Sequence, residues 1–282
     1  MVFESLLRED NAEQHLLYVF FIGMLYASLG VIFDKWVFHG SIENLAIFIT
    51  VMAALPLMYK IIYLEENKTR KSKQEKSLLK EHEKALKAFI ALFVGMCIAF
   101  SFWNLMLPIN EAKELFAAQY NDIGMGRSII NGNIVQPDVF PVLFANNIRV
   151  LVFSFLFSFF CGAGAIFILT WNAAILAVAI GIYVRQAMQY SASVVGGSVV
   201  LSFIGNFSYG FFGYMSHGIF EIASYFLAGL AGGIVSVAVI RHDLFDKNYK
   251  KVVVDALWLM GFAFLLLVIG AIIEVFISSS VF

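Results

Sequence analysis

Apolar residues in this chain come in long unbroken blocks instead of alternating with polar ones. A helix needs roughly 20 apolar residues to cross the ~30 Å hydrocarbon core of a bilayer. Leu16–Phe33 and Ala46–Leu64 are such blocks, the second carrying Pro56 and, near its end, Lys60. Ala88–Pro108, Leu143–Thr170, Trp171–Gln189, His217–Ile240 and Val252–Ile277 follow. Between them lie three other kinds of segment. Residues 65–87 are densely charged and predict a solvated helix or loop. Residues 109–142 open on an amphipathic stretch (EAKELFAAQY) and close on Asn131-Gly132-Asn133 and two prolines, an outer loop. Residues 191–216 mix apolar side chains with Gly196, Gly197, Gly205, Gly210 and Gly213, a poor pattern for a continuous helix.

Composition agrees with a lipid environment. Of 282 residues, 61% are hydrophobic and 14% charged, where a soluble domain has about half and about a quarter. Mean hydropathy is +0.83. The net charge of −1 gives no general attraction to nucleic acid. Cys97 and Cys161 both sit inside apolar blocks and read as small buried hydrophobes, not as a disulfide. Met1–Glu13 has Arg8 as its only Lys or Arg, so no cleavable leader is expected.

Charge placement predicts orientation. Eight of the nineteen Lys and Arg residues fall between Lys68 and Lys87, and Arg241, Lys247, Lys250 and Lys251 form a second basic loop. The positive-inside rule puts both in the cytoplasm. That requires residues 191–216 to enter the membrane and leave on the same side. The expected fold is therefore an all-α polytopic membrane protein: seven transmembrane helices plus a re-entrant helical hairpin, with a cytoplasmic N-terminus. Its organisation reads as a two-helix membrane hairpin over residues 1–64, a basic connector over 65–87 and a five-span core over 88–282.

Polar groups at membrane depth are costly enough that each demands a partner. Asp34, Lys35, Glu274 and Asp255 lie near span ends and read as interfacial, while Lys60 can extend to the boundary. A different set clusters at one depth: Asn146, Asn147 and Arg149 on the fourth span, Arg185 on the fifth, His217 and Glu221 on the sixth. His217 and Glu221, four apart, share a helix face. Glu221 is flanked by Ile219, Phe220, Ile222 and Ala223, so a salt bridge to Arg149 or Arg185 is expected to offset its desolvation. The cluster reads as a structural lock among three helices or as a path for an ion or polar solute. Two ligands are too few for a metal.

Small residues mark helix contacts, because lipid gives apolar helices no reason to prefer one another and close backbone approach must do so. Ser154, Ser158 and Gly162 recur every four residues on the fourth span. On the sixth, Ser224, Ala228, Gly232 and Ser236 have the same spacing, with Gly229 and Gly233 beside them, and Gly218 is a further expected packing position. No Walker loop, HExxH, GxSxG or paired-cysteine zinc signature occurs, so no enzyme activity, metal or cofactor is expected.

Three segments carry a resemblance to a known family: ANNIRVLVFSFLFSFFCGAGA (145–165), LTWNAAILAVAIG (169–181) and HGIFEIASYFLAGLAGG (217–233). Residues from about 88 to 282 resemble the stage II sporulation protein M family of membrane proteins. The resemblance implies a five-span core. It makes His217, Gly218 and Glu221 family-like positions, along with Asn146, Asn147 and Asn172. In spore formers such proteins belong to machinery that remodels the envelope beside wall-degrading partners, and members also occur in organisms that form no spores. The function expected is a non-enzymatic scaffold of an envelope- or membrane-remodelling complex. The alternative is a channel or transporter built on the cluster around Glu221. Expected partners are the lipid bilayer, other membrane or envelope proteins and further copies of the chain, with no nucleic acid. The expected location is the cell membrane, multi-pass.

Overall fold

A computed structural model describes residues 16–38, 43–71, 82–131, 139–161, 164–194, 199–240 and 247–276. Among these the chain is all helical. α1 (Leu16–Val37), α2 (Leu45–Lys71) and α3 (Glu83–Met106) come first. Two short helices, α4 (Ile109–Leu115) and α5 (Ala117–Asn131), precede α6 (Val139–Cys161), α7 (Ala165–Val194), α8 (Val199–Ile240) and α9 (Lys247–Phe276). Six of the described helices are long and apolar enough to cross a membrane: α1, α2, α3, α7, α8 and α9. In α6 the apolar part, Phe144–Phe160, is shorter.

Close backbone approach organises the bundle. α1 and α3 run parallel and touch at a reciprocal glycine contact. A Cβ added at Gly95 would overlap the Phe20 carbonyl oxygen and stand 3.1 Å from the Met24 nitrogen. One added at Gly23 would overlap the Leu92 carbonyl and stand 3.2 Å from the Met96 nitrogen. The N-terminal helices thus pack directly onto the core that follows. Aromatic stacking adds to this at the centre, where Phe89 of α3 lies on Phe226 of α8 with ring centroids 5.1 Å apart.

The structure departs from the sequence expectation in two places. α7 runs on to Val194, and α8 is unbroken from Val199 to Ile240, so the described part of residues 191–216 is not a re-entrant hairpin. Glycines weaken a helix by only about 1 kcal/mol each, and neighbours stabilise this one. Phe203, Phe207 and Phe211 stack along it at 6.4 and 6.2 Å, and Tyr183 of α7 lies against Gly210. Second, the turn between the expected fourth and fifth spans, α6 and α7, falls at Gly164, not between Thr170 and Trp171. Ser158 Oγ accepts the Ala165 N–H at 3.0 Å there, supplying a side-chain cap to α7. The charged segment 65–87, expected as helix or loop, is helical at both ends: α2 reaches Lys71 and α3 begins at Glu83. Residues 72–81, which hold part of the basic run, lie outside the described residues. Glu65 and His82 close this end through a buried Oε2–Nδ1 contact of 2.5 Å.

The opposite end is covered by α4 and α5. Their amphipathic pattern is realised, with Ala112, Leu115 and Phe116 buried. Lys35 of α1 pairs with Glu111 at 2.9 Å, and Gln119 Nε2 donates to Asn44 Oδ1 at 3.3 Å.

Candidate functional site: a buried polar junction of three helices

Glu221 finds its partner on α6, and it is an amide. Asn147 Nδ2 donates to Glu221 Oε1 at 2.7 Å. The other atom of that amide, Oδ1, accepts the Tyr225 hydroxyl at 3.2 Å. Glu221 and Tyr225, four apart, share one face of α8, so Asn147 lies across both. Both Asn147 and Tyr225 are buried. Ser224 closes the local network by donating to the Glu221 backbone carbonyl at 2.6 Å. At 1.5 Å per residue, Asn147 sits about 12 Å along α6 from its start at Val139.

The third wall is α9. A Cβ at Gly270 would stand 3.0 Å from Glu221 Cγ and 3.3 Å from Phe220 Cβ, so α8 is seated on α9 at this glycine. One turn on, the Glu274 carboxyl faces that of Glu221 closely enough for a side-chain hydrogen bond. Glu274 Oε2 is buried with no hydrogen-bond partner among the described residues. The sequence reading placed Glu274 at an interface and gave it no part in the cluster. The signal that could have found it is the Gly270/Glu274 spacing, which puts a hole and a carboxyl on one helix face.

The remaining predicted members are elsewhere. Asn146 and Arg149 are exposed on α6, and Arg149 forms no ion pair among the described residues. The side chain of His217 lies outside them. Asn172 back-bonds its own helix, Nδ2 to the Ile168 carbonyl at 2.7 Å. Arg185 makes a separate knot. Its Nη2 donates to the carbonyls of Asn104 at 2.5 Å and Leu107 at 2.9 Å, at the C-terminus of α3. Those carbonyls have no partner within their helix, and a cation there also meets the negative end of the helix dipole. Asn104 itself is hydrogen-bonded to the Tyr120 hydroxyl of α5 at 3.2 Å. Arg185→Met is expected to cost roughly 2 kcal/mol, since it leaves buried carbonyls unpaired. Thermal unfolding in detergent checks this, and an unchanged melting temperature would show the cap to be idle.

Deeper in the bundle the small residues of α6 and α8 meet. A Cβ at Gly232 would overlap the Phe155 carbonyl and stand 3.0 Å from the Phe159 nitrogen. Gly229 faces Ala165 and lies 3.4 Å, measured from its ideal Cβ, from Ser158 Oγ. Ser154, Ser158 and Gly233 are buried. Gly218 faces open space, and Gly162 lies outside the described residues.

Membrane-length apolar helices joined by a buried amide–carboxyl junction define a multi-pass α-helical membrane protein. The stage II sporulation protein M family profile matches residues 88–279, and the chain belongs to that family. No protein of curated function and no solved structure matches it. The matched region contains α4 to α9 and most of α3, and with them both polar knots.

Proposed function

We propose that this protein is a non-enzymatic scaffold in the cell membrane, a component of an envelope- or membrane-remodelling complex. Its helices α1, α2, α3, α6, α7, α8 and α9 serve as seven spans, with the N-terminus and the Glu65–His82 end in the cytoplasm. Family membership supports the setting. The observation that carries the reading is how the Glu221 carboxyl group is used. It is engaged by Asn147 from α6 and faces Glu274 from α9, so the most costly polar group of α8 joins helices to one another. A lock of this kind holds a rigid body that can present loops and helix faces to partners.

Flux measurements in proteoliposomes test this against conduction. Folded protein is expected to pass ions and small solutes no faster than empty liposomes, and Glu221→Gln to leave that background unchanged. Flux in the native chain that Glu221→Gln abolishes would overturn the scaffold reading and make the junction part of a pathway.

A further inference from the structure

α8 is far longer than a membrane crossing requires. Its 42 residues span about 63 Å at 1.5 Å each, against ~30 Å of hydrocarbon. The excess is paired with the end of α7 along an antiparallel seam. Gly229 faces Ala165, Gly210 faces Tyr183, and Asn206 Nδ2 donates to Met188 Sδ at 3.7 Å. The first third of α8 therefore has one face on α7. Phe203, Phe207 and Phe211 are on the packed side.

Its other face is open and apolar. Leu201 is 72% exposed, Phe212 70%, Val200 65% and Ile204 55%. Tyr190 on α7, 73% exposed, continues the surface. No Asp, Glu, Lys or Arg occurs anywhere between Arg185 and Glu221. A helix standing in water keeps a charged or polar face toward it, while one that is apolar all round is buried or in a membrane. An exposed apolar surface of this kind has to be covered.

We propose that the open face of the α7–α8 extension, from about Val199 to Phe212, is a lipid-binding surface. The extension lies obliquely in the leaflet at the α3 C-terminal end of the bundle, with acyl chains as its occupant. Absence of charge selects lipid over water, and the spread of apolar side chains along about four turns, without a row of small residues closing against a partner, fits acyl chains. Tyr190 and Tyr209 carry hydroxyls suited to the headgroup boundary. This surface is independent of whether the Glu221 junction locks or conducts.

Single cysteines at Leu201, Ile204 and Phe212, labelled with bimane, test the proposal in nanodiscs of neutral and anionic phosphatidyl lipids. Cys97 is buried, so only Cys161 needs replacing, by alanine. The substituted positions are exposed and leave packing intact. A retained melting temperature verifies this, and the three sites are read separately so that one failed variant leaves two. Acyl-chain nitroxide lipids are expected to quench all three labels as strongly as a reference label at Leu257, an exposed position on α9, with iodide ineffective. Dominant quenching by iodide would overturn the proposal by placing the extension in water. Resistance to both quenchers would overturn it by showing the face covered by protein, such as a second copy of the chain.

Discussion

Gly95→Val should leave the protein unable to form its native bundle, or form it with a melting temperature lowered by roughly 10 °C, at about 2–4 °C per kcal/mol for a chain of this size. The reason is what surrounds the missing Cβ. Both close neighbours of Gly95 are backbone atoms of α1, the Phe20 carbonyl and the Met24 nitrogen, and neither can rotate aside as a side chain would. The two helices must separate along their shared face, which also holds the Gly23 contact with Leu92 and Met96. Overpacking a well-filled interior costs about 1–3 kcal/mol and occasionally more, and the rigid backbone here puts the change at the top of that range. Separation also loses dispersion contacts, which in lipid are the main source of helix association. Gly95→Ala should be milder and Gly23→Val comparable. An unaltered melting temperature for Gly95→Val would mean that α1 does not seat on α3.

Asn147→Leu should be the most damaging single change in the polar junction, costing about 3 kcal/mol, because each buried group left unpaired costs about 1–3 kcal/mol and two are left so. It removes the donor to Glu221 Oε1 and the acceptor of the Tyr225 hydroxyl together, and the leucine that replaces it can satisfy neither. Glu221→Gln should be gentler, since an amide oxygen still accepts from Asn147 Nδ2. The informative variant is the Asn147→Leu, Glu221→Leu, Tyr225→Phe triple. With Glu274→Leu added, so that the carboxyl facing Glu221 is not left alone, the variant strands no donor or acceptor and should recover most of the stability that Asn147→Leu loses. Coupling of this sort is read from a mutant cycle in detergent. Additive losses across the series would show that the three side chains do not act as one network.

The two polar knots illustrate what residue pattern could and could not locate. Asn147 and Glu221 were both visible as polar residues inside apolar blocks, and the small residues of α6 and α8 as a periodic row. Arginine was the electrostatically natural partner for Glu221. The geometry gives Arg185 instead to the α3 carbonyls and leaves Arg149 on the surface. A helix terminus is an acceptor that no side-chain census contains, since it exists only once the chain has turned at Leu107. Glu274 escaped for a similar reason. Its position near the end of an apolar block is ambiguous between interface and interior until α9 is placed against α8.

The sequence by itself determined that the chain carries several apolar blocks long enough to cross a bilayer, the all-helical class and the family. These follow from local quantities: block length against bilayer thickness, and the side-chain period of a helix. Tertiary structure alone decided that Glu221 meets Asn147, Tyr225 and Glu274, and that Arg185 caps α3. It also decided that α8 continues through its glycines where composition suggested a break. Those outcomes depend on which helix faces come together and how closely backbones approach, and pairwise contacts between residues distant in the chain are not encoded in the hydropathy of either one.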